Sequence, residues 1–237
     1  MPLHIWGKDR LKRELESDGH QTWGLVIYRC TYKSDSDWSE FLTRFKAHVT
    51  ARLERSEQAY LLDSFVMTVF EDKSLDGATP ALVRDKFKEW AKTAPRREQG
   101  AGAGDAVRYA YCIHVDDEAL DSIVQRPDPL DTWAKHWGFV NLIQADWEPY
   151  DRFEGEDELE AEEEPIEGCT NYDVGWMRVR YDHVVWITYE EFRDSVRWED
   201  GYFRPPDIRT LYIGNFRVDY REFVSSAKAS LPSSPKE

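Results

Sequence analysis

The chain has 237 residues, 41% apolar and 14% aromatic, with a formal charge of -15. That is enough apolar material for a sizeable core, so a wholly disordered chain is excluded. Mean hydropathy is -0.69, and no apolar run reaches the roughly 18 residues of a membrane span, so a cytoplasmic protein with no membrane partner is expected.

The opening stretch MPLHIWGKDRLKRELESDGH reads as a polar lead-in over 1–20, with room for a short helix and without the apolar segment of a secretory leader. Trp23 to Tyr32 is β-branched and aromatic and predicts the first strand. Trp38, Phe41, Leu42, Phe45, Val49 and Leu53 recur at three- and four-residue steps, one face of a helix with Ser36 or Asp37 as its N-cap. Phe65 to Phe70 predicts a buried second strand. Thr79-Pro80 opens a helix to about Ala94 that turns Val83, Phe87 and Trp90 inward. Arg96 to Ala106 is glycine-rich and charged, and predicts a flexible loop. Its GAGAG follows a helix and precedes a strand, the reverse of a dinucleotide fingerprint.

Tyr109 to Val115 is the third predicted strand, Asp116 or Asp117 caps a short helix, and Phe139 to Ala145 is the fourth strand. The order predicts an α+β, ferredoxin-like sandwich over 21–149, two split βαβ halves with an inserted helix. Residues 148–167 hold eleven acids and one base, so 150–168 reads as an acidic mobile loop and the remaining body is only mildly acidic. A C-terminal α/β extension over 169–224 is expected to pack on the core, with a strand at Val174 to Val179 and helical spacing from Val185 to Val196. The last segment, 225–237, is expected to be a disordered tail.

Cys30, Cys112 and Cys169 form no CxxC pair, and the six histidines show neither HxH nor HExxH spacing, so no metal and no cofactor are expected. There is no Gly-x-Ser-x-Gly elbow. Ser122 falls in a predicted helix and Cys30 and Cys112 in predicted strands, so no nucleophile identifies itself.

Carboxylates dominate the remaining chemistry. Glu156, Asp157, Glu158 and Glu160 are dense enough to bind a cation, to pair with a guanidinium, or to raise one member's pKa for proton transfer; the same run also reads as a solvated, self-repelling loop. Asp116 and Asp117 sit where a strand hands over to a helix, a position that serves substrate binding or helix capping. Arg84, Lys88 and Lys92 at i, i+4 and i+8, extended by Arg96 and Arg97, form a stripe that either tracks phosphates or is a solvated helix face. Trp147, Trp176 and Trp198 lie beside predicted loops and are the candidates for base stacking.

The segments WGLVIYRCTY, YCIHVDDEAL, FVNLIQADW and EGCTNYDVGWMRV, spread over most of 22–180, resemble a widespread group of filamentous-fungal cytosolic proteins, and within it the fungal arginine-containing cyclodipeptide synthases. The resemblance implies an aminoacyl-tRNA-dependent transferase of secondary-metabolite biosynthesis. Arginyl-tRNA and a second aminoacyl-tRNA are its implied partners, a diketopiperazine its product, and no DNA is involved. The family's Asp-Asp-x-x-Glu motif has its nearest match in Glu156-Asp157-Glu158-Leu159-Glu160, with glutamate at the first place. It implies catalytic roles for Glu156, Asp157 and Glu160, with Asp116, Asp117, Arg84 and Lys88 binding substrate. The rival expectation is a non-enzymatic cytosolic interaction module whose acidic loop binds a basic partner.

Overall fold

The computed structural model describes residues 9–125, 138–149, 163–193 and 196–209. The lead-in carries α1 (Arg10–Asp18), stopped by Gly19 at φ 69°. The first strand is shorter than its apolar run: β1 (Val26–Arg29) is buried at all four positions, the pattern of a strand covered on both faces. The next helix, α2 (Asp35–Arg55), is capped by Ser34, two or three residues ahead of the expected caps, its hydroxyl accepting from Asp37 N at 3.2 Å. The second apolar run pairs continuously only over Thr68–Phe70, the half-buried edge strand β2, with a separate parallel bridge from Phe65 to Trp23.

Thr79 caps α3 (Pro80–Ala91) with proline in its first turn, as the sequence predicts. Where a flexible loop is expected from Arg96, the chain instead forms α4 (Ala94–Gln99), anchored by buried Ala94, Pro95 and Gln99. The Gln99 side chain accepts from Gln21 N and Thr22 N and donates to Thr22 O and to the Tyr109 hydroxyl. A single turn, α5 (Val107–Ala110), leads into β3 (Tyr111–Val115). Asp116 caps α6 (Asp117–Val124), and β4 (Phe139–Gln144) follows. The extension supplies β5 (Trp176–Arg180), α7 (Val184–Glu191), α8 (Val196–Gly201) and β6 (Ile208–Arg209). The predicted helical run from Val185 is thus divided at Phe192, the C-cap of α7.

These strands form one mixed sheet in the order β2-β1-β3-β4-β5-β6. The mixed α/β content is as expected, but the topology differs from two split βαβ halves. In β1, Val26 pairs in parallel with Thr68 of β2 and with Cys112 of β3, so the first three strands are direct parallel neighbours. The β3/β4 and β4/β5 pairs are antiparallel, and β5/β6 is parallel. Strands of the extension join the same sheet as those of the expected core. Residues 150–162 of the acidic segment and the whole of 225–237 lie outside the described residues.

Side chains alternate across this sheet. Leu25 and Ile27 of the β1 segment, with Ile113, Leu142, Met177 and Val179, face α2, α6 and α7, while Val26, Tyr28, Cys112 and Ile143 face α3. Helices therefore cover both faces, as a β1–α2–β2 crossover and a β2–α3–β3 crossover running in opposite directions require when both are right-handed.

One buried cation ties the amino ends of these strands together. Arg108, 2% exposed, donates to Gly24 O (3.3 Å), Val66 O (3.1 Å), Thr68 Oγ1 (2.6 Å) and both carboxylate oxygens of Glu98 (2.9 and 3.1 Å). Arg108→Met leaves the Glu98 carboxylate buried without its cation and Val66 O without this donor, and an unfolding free energy lower by about 3 kcal/mol is expected in urea titrations. Lys92→Met, which removes an exposed pair with Glu89, is expected to change it by less than about 1 kcal/mol.

Candidate functional site

The chain leaves β1 toward β2 and leaves β3 toward β4, so the two connections part at the carboxyl ends of β1 and β3, the position where open α/β sheets take ligands. Three segments meet there: 29–37, 71–79 and 114–118. Gly77 N donates to Cys30 O at 3.0 Å, Cys30 N to Val115 O at 2.9 Å, and His114 Nε2 to Ala78 O at 2.8 Å.

Several charged groups on this edge have defined partners. Arg29, at the end of β1, donates through Nε to Thr31 O (2.9 Å) and through its terminal nitrogens to Glu71 (3.3 Å) and Asp35 (2.5 Å), with the Tyr32 and Trp38 rings 4.3 and 5.2 Å from its centre. Asp117 accepts from the Thr31 hydroxyl and pairs with Lys33. Burial pushes its carboxyl up, but the hydrogen bonds from Lys33 and Thr31 outweigh that and hold it below the ordinary 3.8. Asp116 Oδ1 accepts from Ala119 N at 2.8 Å, and its Oδ2 accepts from Asn141 Nδ2 at 3.0 Å. Glu118 pairs with Arg178 at 2.6 Å. Cys30 is no nucleophile, because burial, with Asp116 and Asp76 nearby, pushes its thiol up to about 12.

A polar row crosses one face of the sheet beneath these acids, since His114 on β3 pairs in register with Asn141 on β4, and Asn141 with Arg178 on β5. None of the three was singled out by sequence reasoning; their signal was a lone polar residue inside otherwise apolar strands, YCIHV and FVNLI. Sequence reasoning also passed over Thr31 and Lys33, which bring Asp117 to β1.

Of the expected site residues, Asp116 and Asp117 come together here, 116 as the cap and 117 as the partner of β1's loop. Arg84 is a correction: it is buried rather than part of an exposed stripe. Its Nε donates to Gln144 O (3.0 Å) and Nη2 to Val174 O (3.2 Å), and its guanidinium lies 4.7 Å from the Trp147 ring. Position 84 adjoins inward-facing Val83, and the Gln144 and Val174 carbonyls draw the guanidinium in; burial lowers its pKa. Lys88 pairs with Glu148 at 2.7 Å. Lys92, Arg96 and Arg97 are exposed, and Arg96 and Arg97 have no acidic partner among the described residues. Trp176 and Trp198 are buried, and Trp147 lies against Arg84. Glu156, Asp157 and Glu160 lie outside the described residues. Among the described residues no group of three or more His, Cys, Asp or Glu is placed to hold a metal ion, and no helix is long and apolar enough to cross a membrane.

No family model, no curated protein and no solved structure matches the chain. Chemically, the edge offers fixed carboxylates and a buried amide. It suits a cationic ligand better than a covalent intermediate.

His114 supplies a pH dependence. Burial holds its pKa below 6.5 against the pull of Asp116 and the Ala78 carbonyl, and burial likewise lowers His183 to about 4. The unfolded chain therefore takes up protons near pH 6.5 that the folded chain refuses, so stability is complete above that pH and falls below it. The slope approaches about 1.4 kcal/mol per pH unit for His183. Urea denaturation between pH 7 and 5 is expected to show the fall, His183→Gln to flatten it by about one proton, and His114→Gln to flatten it in the same direction.

Proposed function

We propose that this chain acts in the cytosol as an aminoacyl-tRNA-dependent synthase of an arginine-containing cyclic dipeptide, with the carboxyl edge of the sheet seating the cationic part of the arginyl substrate. The observation that supports this most directly is the concentration of carboxylates there: segments 29–37, 71–76 and 116–118 hold eight acids against three bases. A guanidinium's planar N–H donors match carboxylates bidentately.

The chemistry asks little more than positioning and a proton acceptor. The α-amine of one aminoacyl group attacks the ester carbonyl of the other. The C–N bond forms, the C–O bond to the tRNA ribose breaks, and the ammonium proton passes through a carboxylate to the departing ribose oxygen. A second aminolysis closes the ring. Asp117, held ionised by Lys33 and Thr31, is suited to pair with the cationic group of the substrate. Glu156, Asp157 and Glu160 belong to the proposal through the family resemblance alone.

A polyanionic partner needs a different surface. The α3–α4 segment, 80–99, holds six bases against three acids in a chain of net charge -15. It runs from the carboxyl edge, where Ala78 meets His114, to the amino end of β1, where Gln99 meets Thr22. Lys92, Arg96 and Arg97 are proposed to contact the tRNA backbone, in place of the buried Arg84.

The direct test is mass spectrometry of an expressing host and of purified protein supplied with charged tRNA. An arginine-containing diketopiperazine is expected, and Asp117→Ala is expected to lower its yield at least about a hundredfold. Soluble, folded protein that makes no such product ends the reading. Arg96→Glu combined with Arg97→Glu is expected to weaken binding of uncharged tRNA on the order of tenfold at moderate salt and to flatten its salt dependence.

A further inference from the structure

The two edges of the sheet are finished differently. At one, the described part of β6 is Ile208–Arg209, and Arg209 is paired with Glu191 at 2.6 Å; a fixed charge on a short edge discourages further pairing. At the other, β2 lies in the run Phe65 to Phe70, FVMTVF, which holds no charge, no proline and no glycine. Val66 N donates to Trp23 O at 2.8 Å. Alternate residues of a strand bond to the same side, so Thr68 and Phe70 bond toward β1, while Met67 and Val69 turn their N–H and C=O groups outward. Among the described residues no hydrogen bond answers those outward groups. Their surroundings are apolar: Val66 is 37% exposed, and Met67, Val69, Phe70 and Trp90 are only partly buried. An unprotected edge of this kind is a template for another strand.

Symmetry and charge say which strand fits. A two-fold pair formed by one edge with its own copy is antiparallel, and it must set outward residues against outward residues. Centred on Met67, such a pair places Asp63 against Glu71; centred on Val69, it places Lys73 against Phe65. Centred on Thr68, it sets Met67 opposite Val69 of the second copy, where the two exchange N–H···O bonds, and Val66 opposite Phe70. The same register brings Asp63 opposite Lys73 at both ends. Asp63 and Lys73 are exposed, and neither has an ion-pair partner among the described residues. Glu71, the acid nearest the strand, is held by Arg29 and Trp38 of its own chain. We propose that β2 is a homodimer interface, in which two copies join their sheets through antiparallel β2 strands about an axis at Thr68. This goes beyond the synthase reading and does not depend on it.

The test is sedimentation velocity of the full chain over a concentration series from about 1 to about 500 µM, where a reversible dimer is expected, half-formed on the order of 10 µM as suits a small interface. In hydrogen exchange the amides of Met67 and Val69 are expected to slow as the concentration rises. Asp63→Lys sets lysine against lysine at both ends and is expected to weaken the dimer about tenfold at low salt, and adding Lys73→Asp to recover it to within about threefold. Val66→Lys, a change at an exposed position, is expected to weaken it at least as much as Asp63→Lys. Thermal denaturation checks that each variant stays folded. A chain that is monomeric at the highest concentration overturns the proposal, as does a dimer untouched by Asp63→Lys and Val66→Lys. A double variant that fails to recover overturns it too. So do Met67 and Val69 amides that exchange slowly at every concentration, the mark of an edge covered by its own chain.

Discussion

The guanidinium of Arg108 is the interaction on which the geometry of the opposite edge depends. Its donors reach Gly24 O just before β1, Val66 O and Thr68 of the β2 segment, and Glu98 of α4, so one side chain sets the spacing of two strands and a helix. The closeness it needs explains Gly24, which has φ +119° and where a Cβ would lie 2.4 Å from Val66 O. Tyr189 completes the anchor, its hydroxyl bonding both the amide and the carbonyl of Gly24. With β1 and β2 in register at their amino ends, parallel pairing carries the alignment along both strands to their carboxyl ends. There Arg29 meets Glu71, and the loop after β1 meets Asp117. Because the anchor is buried and fully paired, it is costly to break and specific in what it aligns.

Local pattern made most elements legible and left their arrangement hidden. The Thr79-Pro80 start, the spacing of Trp38, Phe41, Phe45 and Val49, and the capping role of Asp116 are set within a few residues, and all appear in the structure. Strand direction is not local. A period of two looks the same in a parallel and an antiparallel pair, and only the unbroken burial of Val26–Arg29, with short edge strand β2 beside it, marks β1 as a parallel strand covered on both faces. Arg84 and α4 were misread for a related reason. Helical spacing separates faces only where a helix is covered on one side, and the carbonyls of Gln144 and Val174, from strands distant in sequence, draw Arg84 inward. Likewise, glycines after Gln99 suggest a loop until Gln99's bonds to Gln21 and Thr22 are known.

Charge is sorted along the molecule rather than spread over it. The acids of 71–76 and 116–118 collect at the carboxyl ends of the parallel strands, and α3 descends from there to the exposed Arg96 and Arg97 at the amino end. Two crossovers produce this separation, because each returns the chain to the same end of the sheet before its next strand. A ligand with a cationic head and a polyanionic body would be oriented by such a field before making any short contact. A uniformly acidic protein of the same net charge would repel the body as strongly as it drew the head.

The polar row of His114, Asn141 and Arg178 is best understood against what apolar residues would do in its place. Three aliphatic side chains there would avoid the desolvation of an imidazole, an amide and a guanidinium. Most of their polar atoms are nevertheless answered: His114 by the Ala78 carbonyl, Arg178 by Glu118 and the face of Phe139, Asn141 Nδ2 by its two neighbours. Such a row also fixes register. A slip of one residue in β4 would turn Asn141 toward the apolar helices on the other face and bring a neighbour such as Leu142 against His114. Register alone, however, would be served by any amide with both ends paired. Asn141 has its nitrogen paired, while its Oδ1 and the Nε of Arg178 beside it on β5 are both buried without a hydrogen bond among the described residues, so the row sets register and leaves one acceptor and one donor of neighbouring strands unmatched.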